Sequence, residues 1–211
     1  VAEGVAKGDE PFTKNKKEIR KTKEDFFDAI YNLRFIPNSP TLLNVGRNNK
    51  NFAACFVLPI GDSLVDIYST LNEAVNVQWK GGGTGFNFSP IRPKGDMAGG
   101  IPDVAAGPVH YIKTYSTAMM GVRQSGKRGG GNMAILNVDH PDILEFIHLK
   151  EQDRTIMNFN ISVGITDKFM KALREDTTYD LVNPRNGEVV GQLNARQVFD
   201  EIVQLAHQTG D

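Results

Sequence analysis

Cys55, in the stretch ACFVLPIGDS, is the single cysteine of the 211 residues. A thiol can give up a proton and an electron and close a disulfide with a second thiol. With one cysteine an internal disulfide framework is excluded, so a redox partner for Cys55 has to come from elsewhere. The competing reading of a lone cysteine is a small, inert hydrophobe. Asp62 and Ser63 follow, and then residues 80–95 read KGGGTGFNFSPIRPKG, a run of glycines ending in Arg92 and Lys94. This stretch is either a phosphate cradle or a turn that lets the backbone pass close to another element. A second loop, RQSGKRGGGN, places Arg123, Lys127 and Arg128 among glycines at 126 and 129–131.

Neither loop satisfies a phosphate fingerprint. Residues 121–127, GVRQSGK, fit the first seven positions of G-x-x-x-x-G-K-[ST], but Arg128 stands where the metal-binding hydroxyl belongs. The fingerprint also requires a strand before it and a helix after it, and the pattern here is the reverse. In the first loop, the dinucleotide fingerprint read from Gly81 or Gly83 meets phenylalanine at its third glycine position. The four histidines, His110, His140, His148 and His207, have no zinc-ligand spacing with Cys55. Asp62 and Ser63 read on their own as a helix cap, and the basic residues of the second loop as a solvated surface.

The elements that position these residues follow from periodicity. From Thr22, KEDFFDAIYNLRF predicts a helix with Phe26, Phe27, Ile30 and Leu33 on one face, stopped by Ile36-Pro37. The residues before it are expected to be peripheral. The apolar run 52–58 predicts a buried strand. Ser63 with Asp66 resembles a capping box, and Leu64, Ile67, Leu71 and Val75 predict a helix over 64–79. Gly107-Pro108 starts another, with Val109, Ile112, Tyr115 and Met119 inward. Strands are predicted around 86–88, 133–138 and 158–165, helices over 141–150 and 167–174, a hairpin across NPRNG, and a last helix capped by Asn194 and running to about His207. Strands alternating with helices argue an α/β fold with mainly parallel pairing.

Composition fits this reading. Hydrophobic residues make up 40% and charged residues 23%, which is enough apolar material for a core. A net charge of −1 supplies no global field toward nucleic acid or membrane. There is no apolar run of spanning length and no signal peptide, so a soluble cytoplasmic protein is expected, with neither nucleic acid nor membrane as partner.

In order and spacing, FIPNSPTLLNVG, ACFVLPIGDS, GGGTGFNFSPIRPKG, AAGPV, RQSGKRGGGNMAILNVDHPDILEFI and NFNISV resemble the catalytic chain of a ribonucleotide reductase, from about Arg34 onward. The wording PNSPTL and GGGTGFNFS is closest to the adenosylcobalamin-dependent (class II) branch. The resemblance implies a ten-stranded α/β barrel of two half-barrels threaded by a finger loop. A polar tail and helix over 1–35 would precede the first half-barrel over 36–211. The radical-bearing cysteine lies on the finger loop, so with Cys55 alone the chain is expected to be an N-terminal piece, inactive by itself and completed by a C-terminal part.

The resemblance also assigns roles. Cys55 matches one member of the reducing pair. Thr41 and, less closely, Ser39 match substrate contacts, as do Ala54, Gly82 and Gly83. Gln124 and Arg128 match the flexible loop that touches substrate base and phosphate, although Ser125 replaces a glycine common in relatives. Asp62, Ser63, Leu64 and Arg92, with Lys94 beside them, match a specificity site for a deoxynucleoside triphosphate or ATP. The helices starting near Ser63 and Gly107 would form a homodimer interface. Adenosylcobalamin would be the cofactor of the complete enzyme, Mg2+ would accompany the nucleotide, and no protein metal site is implied. The sequence does not separate ribonucleoside diphosphate from triphosphate substrates. Alternative readings are a non-catalytic dNTP-binding module, a piece of a class I large subunit, or an unrelated ATPase.

Overall fold

Apolar runs alternating with amphipathic segments fold as parallel strands joined by helices. The computed structural model describes residues 1–48, 51–124, 128–153 and 156–211, without the side chains of 123, 124, 128, 129 and 152. The N-terminal part holds α1 (Ala2–Ala6), a 3-10 turn (Lys7–Asp9), α2 (Lys16–Tyr31) and α3 (Ser39–Asn44). Then come β1 (Cys55–Leu58), α4 (Leu64–Trp79), β2 (Gly83–Asn87), α5 (Pro108–Met119), β3 (Arg123–Gln124), β4 (Arg128–Gly129) and β5 (Asn132–Asn137). The chain continues through α6 (Ile143–Ile147), α7 (Leu149–Gln152), β6 (Phe159–Gly164), α8 (Asp167–Glu175), β7 (Thr178–Val182), β8 (Val189–Asn194) and α9 (Ala195–Thr209).

Four strands form one sheet in the order β1-β2-β5-β6, and every pair is parallel. Parallel neighbours need a crossover; α4 supplies it between β1 and β2, α5 between β2 and β5, and α6 with α7 between β5 and β6. β7 and β8 form the expected antiparallel hairpin. The helices pack onto the sheet through Ile67, Ile112, Tyr115, Ile143, Phe146 and Phe169, all buried. At the centre Phe86 meets Tyr115 edge-on at 5.2 Å and Phe88 meets it at 5.5 Å. Burying each such ring stabilises the fold by roughly 1.5–3 kcal/mol.

Four expectations are corrected. The first long helix starts at Lys16, not near Thr22, because the Asn15 side chain caps it by accepting from the Lys17 N–H at 3.0 Å. The predicted apolar face of this helix is not buried: Phe27 is 60% and Leu33 77% exposed, and α1 is the element packed on α2. The strand at 52–58 shrinks to Cys55–Leu58 and lies at the sheet edge, so alternate residues face outward and Val57 is 84% exposed. In α4 the fully buried stripe is Ile67, Thr70, Ala74 and Gln78, not Leu64, Ile67, Leu71 and Val75.

Candidate functional site

The sequence-predicted residues gather at the two ends of the parallel sheet. At the amino ends, Cys55 opens β1 and is exposed. It stands in register with Gly83, whose N–H donates to the Ala54 carbonyl at 2.7 Å. The next N–H, that of Thr84, donates to the Gly131 carbonyl at 3.2 Å, which brings the exit of the second glycine loop beside β2. A Cβ on Gly83 would sit 3.2 Å from the Gly131 carbonyl oxygen, and one on Gly82 would sit 2.6 Å from the Phe56 ring and 2.8 Å from Val77. The glycines therefore permit close approach: Gly82 is buried between α4 and β1, and Gly83 lies between two backbones.

α3 is tied to the segment that leads into Cys55. Asn38 caps it by accepting from the Thr41 N–H at 3.1 Å and donates to the Phe52 carbonyl at 2.9 Å. The Thr41 hydroxyl reaches the same carbonyl at 3.5 Å, and Asn44 donates to the Asn51 carbonyl at 2.7 Å. Thr41 is half-buried and Ser39 exposed. Gln124 and Arg128 face each other in the β3–β4 ladder, while Ser125, Gly126 and Lys127 lie outside the described residues.

At the carboxyl ends of β1 and β2, Asp62 and Arg92 meet. The Asp62 carboxylate accepts from the Arg92 backbone N–H and from its Nε, each at 2.8 Å, and its Oδ2 lies 2.6 Å from Nη2. Nη1 of Arg92 donates to the Met97 carbonyl at 2.7 Å. The hydrogen bonds to Asp62 raise the Arg92 pKa further above its ordinary value, so the guanidinium stays charged. Ser63 caps α4 by accepting from the Asp66 N–H at 3.0 Å, and its hydroxyl donates to the Asp66 carboxylate at 2.6 Å. That carboxylate already complements the positive end of the helix. Leu64, the first helical residue, is 62% exposed. Lys94 donates its backbone N–H to Asp142 at 2.9 Å and holds its ammonium 3.6 Å from Glu145.

The sequence reading missed two polar features. One is a buried network: the Thr84 hydroxyl donates to Asn132 Oδ1 at 2.7 Å, the Gln78 amide donates to the same oxygen, and Asn132 donates to the Asn158 carbonyl at 2.9 Å. Ser116 extends it, donating to Asn158 Oδ1 at 2.6 Å. A glutamine on the inward stripe of α4 was the available signal. The other is His140, buried, whose Nδ1 accepts from the Asp142 N–H at 3.0 Å while Nε2 contacts the Ile91 carbonyl at 2.8 Å. Burial lowers its pKa, so the ring is neutral with its proton on Nε2. Among the described residues no group of three or more His, Cys, Asp and Glu is assembled for a metal, and no helix is long and apolar enough to cross a membrane.

Comparison with known proteins fits this geometry. Residues 53–211 match the family model for the ribonucleotide reductase barrel domain, and residues 1–50 match that for the ribonucleotide reductase all-alpha domain. The chain is 46% identical over 187 residues to the vitamin B12-dependent ribonucleoside-diphosphate reductase of Thermoplasma acidophilum, covering 88% of this chain and 24% of that protein. It is 44% identical over 193 residues to the Mycobacterium tuberculosis protein of the same name, covering 91% of this chain and 28% of that one. Identity to the ribonucleoside-diphosphate reductase NrdEB subunit alpha of Bacillus subtilis is 31% over 178 residues, covering 80% of this chain and 16% of that one. The chain thus spans about a quarter of the length of its B12-dependent relatives. With both family models matched in order along its length, this chain belongs to the ribonucleotide reductase family.

Proposed function

We propose that the chain is the N-terminal portion of an adenosylcobalamin-dependent ribonucleoside-diphosphate reductase, contributing one reducing cysteine and a nucleotide specificity site. The observation that carries this reading is Cys55, exposed at the head of β1 and flanked by Ala54 and Gly83. In the proposed reaction the ribose 2′-OH leaves as water, hydrogen takes its place, and two thiols become a disulfide. Cys55 supplies one thiol and a C-terminal part of the protein the other. Ser39 and Thr41 on α3, the backbone at 82–83, and Gln124 with Arg128 border the same end and are assigned to the substrate.

Identity of 46% and 44% to two B12-dependent reductases, above the 31% to the Bacillus subtilis subunit, supports the cobalamin class. Adenosylcobalamin brings its own cobalt ligands, so the lack of a ligand cluster among the described residues is compatible with it. When bound, it supplies a radical; no side chain of this chain is assigned to hold it. The sheet would belong to the first half of a ten-stranded barrel, that half lying over 36–211, with the tail and helix of 1–35 ahead of it. The bonds from α3 to Asn51 and Phe52 tie α3 to the approach to β1, while the all-alpha family match, which runs to residue 50, groups it with the helices before it.

At the other end, Asp62, Ser63, Leu64, Arg92 and Lys94 are assigned to a dNTP or ATP effector carrying Mg2+. A carboxylate has about four acceptor sites; Arg92 fills two of them at Asp62 by hydrogen bonds and adds an ion-pair contact, which leaves acceptor capacity for a ribose hydroxyl. Leu64, Val65 and Tyr68, exposed at 62%, 78% and 50%, leave α4 an apolar outer face that supports a homodimer through this helix.

Calorimetry with dATP, dTTP and ATP, with and without Mg2+, tests the effector assignment: Asp62→Ala should abolish dNTP binding, and unchanged affinity refutes it. For the reductase, this chain supplemented with the C-terminal part and adenosylcobalamin should form deoxynucleotide, and Cys55→Ser should not when the protein's own thiols are the reductant. Turnover by Cys55→Ser under those conditions refutes the role of Cys55.

A further inference from the structure

Asp96, Asn183 and Arg185 form a cluster outside both residue groups described above. Asp96 lies in the long segment that leaves β2 and returns to α5. That segment is closed on itself by the Gly95 N–H donating to the Ala105 carbonyl at 2.9 Å and the Ala105 N–H donating to the Asp96 carbonyl at 3.1 Å. The Asp96 carboxylate receives a fork from Arg185 of the β7–β8 hairpin, Nε to Oδ2 at 2.8 Å and Nη2 to Oδ1 at 2.9 Å. Asn183 donates to Oδ2 at 3.0 Å, and its own Oδ1 accepts the Arg185 N–H at 3.0 Å. The Asp96 side chain is 11% exposed.

The next residue, Met97, offers the carbonyl that accepts Arg92 Nη1. The Arg92 guanidinium is therefore held on one side by Asp62 and on the other by a carbonyl whose place is set by the adjoining Asp96–Arg185 fork. Such bidentate pairs fix direction as well as distance. We propose that Arg185 is a positioning residue for the nucleotide site: through Asp96 it fixes the Met97 carbonyl that aims Arg92 at the phosphates. This rests on the assignment of Asp62 and Arg92 to the effector. The hydrogen bonds from Arg185 also hold the Asp96 pKa far below the usual carboxylate range, so the fork persists across the neutral range.

A double-mutant cycle on the full chain reads the effect. dATP and dTTP affinities are measured by calorimetry for wild type, Arg185→Ala, Arg92→Ala and the double variant. Arg185→Ala is expected to weaken binding about tenfold and to change nothing further once Arg92 is gone. An equal loss in both backgrounds, as from general loosening of the hairpin, overturns the proposal, and so does unchanged affinity in Arg185→Ala. The Arg92 Nη1–H signal in 15N NMR at low temperature reports the same positioning without nucleotide: slow exchange in wild type, lost in Arg185→Ala. Should wild type bind neither nucleotide, the effector assignment fails, and that signal alone decides the positioning role. Asp96→Asn, which keeps the shape and weakens the fork, is the second variant if Arg185→Ala does not fold.

Discussion

Gly107→Ala is the sharpest test of how the candidate nucleotide end is built. Gly107 is the N-cap of α5 and sits at φ 79 and ψ 164, a region that essentially only glycine occupies. A side chain there costs about 1–3 kcal/mol in backbone strain alone. The added Cβ would stand 2.7 Å from Asp142 Oδ2 and 2.9 Å from both Cβ and N of Lys94. Those are the two residues joined by the Lys94 N–H to Asp142 bond. Relief means separating that bond or shifting the backbone of Lys94, an overpacking cost of about 1–3 kcal/mol. The terms overlap, since movement that relieves one relieves part of the other, so the total is about 1–5 kcal/mol. In a chain of this size 1 kcal/mol moves Tm by about 2–4 °C, which predicts a fall of roughly 2–20 °C. Urea unfolding monitored by circular dichroism, checked for an unchanged m-value, gives the free energy, and calorimetry gives Tm. A cycle with Asp142→Ala separates the parts: without the carboxylate the penalty should shrink toward the backbone term. A loss below about 1 kcal/mol in Gly107→Ala, under the smallest strain cost, would refute the reasoning.

Further outcomes follow from other contacts. Gly130→Ala places a Cβ against the buried Gln78 carboxamide, whose Oε1 has no partner among the described residues; it should cost about 1–3 kcal/mol in urea unfolding, and an unchanged midpoint refutes the close approach. Thr84→Val removes the buried 2.7 Å bond to Asn132 and should cost about 1–3 kcal/mol by the same measurement, with no loss counting against the network. His148, bonded to Glu151 at 2.8 Å and to Glu201 at 3.3 Å, has its pKa raised, chiefly by Glu151. Its contribution to stability is complete below the unfolded value of about 6.5 and is lost as pH rises through the raised folded value. The urea midpoint should therefore fall between pH 5.5 and 8.5 by more in wild type than in His148→Gln, and parallel pH profiles would exclude the effect. Cys55, exposed, should react with an aromatic disulfide reagent in native protein; reaction only after unfolding would restore the inert-thiol reading.

Much of the fold was legible because its signals are local. Ser63 and Asn194 cap their helices as their residue types predict, and the helix at 64–79 has the predicted bounds. All four residues predicted inward on α5 are buried. What failed depended on neighbours. The burial of β1 could not be read from its apolar run, since composition does not say whether a strand lies at the edge or the centre. The inward stripe of α4 turned out to contain Thr70 and Gln78, which hydrophobic periodicity discards; the Pro59 carbonyl accepts the Thr70 hydroxyl and Asn132 accepts the Gln78 amide N–H. Asp96 and Arg185 were invisible for a different reason: their pairing spans the sequence and leaves no periodic trace.

The pairing of site residues, by contrast, follows from the parallel topology alone. A strand runs from one end of the sheet to the other, and a crossover helix returns the chain to the first end. Residues just before β1 and just before β2 must therefore share one end, and residues just after them the other. This places Cys55 with Gly83, and Asp62 with Arg92, as found. The rule extends to the third strand: Gly131, before β5, falls in with Gly83, while His140 and Asp142, after it, bond to Ile91 and Lys94. Four residues of β1 separate the two ends by about 13 Å, and the 16 residues of α4 span about 24 Å between them. Any influence of a nucleotide at Asp62 on chemistry at Cys55 has to cross that distance. α4, capped by Ser63 at one end and locked by the Gln78 amide at the other, is the rigid element that spans it.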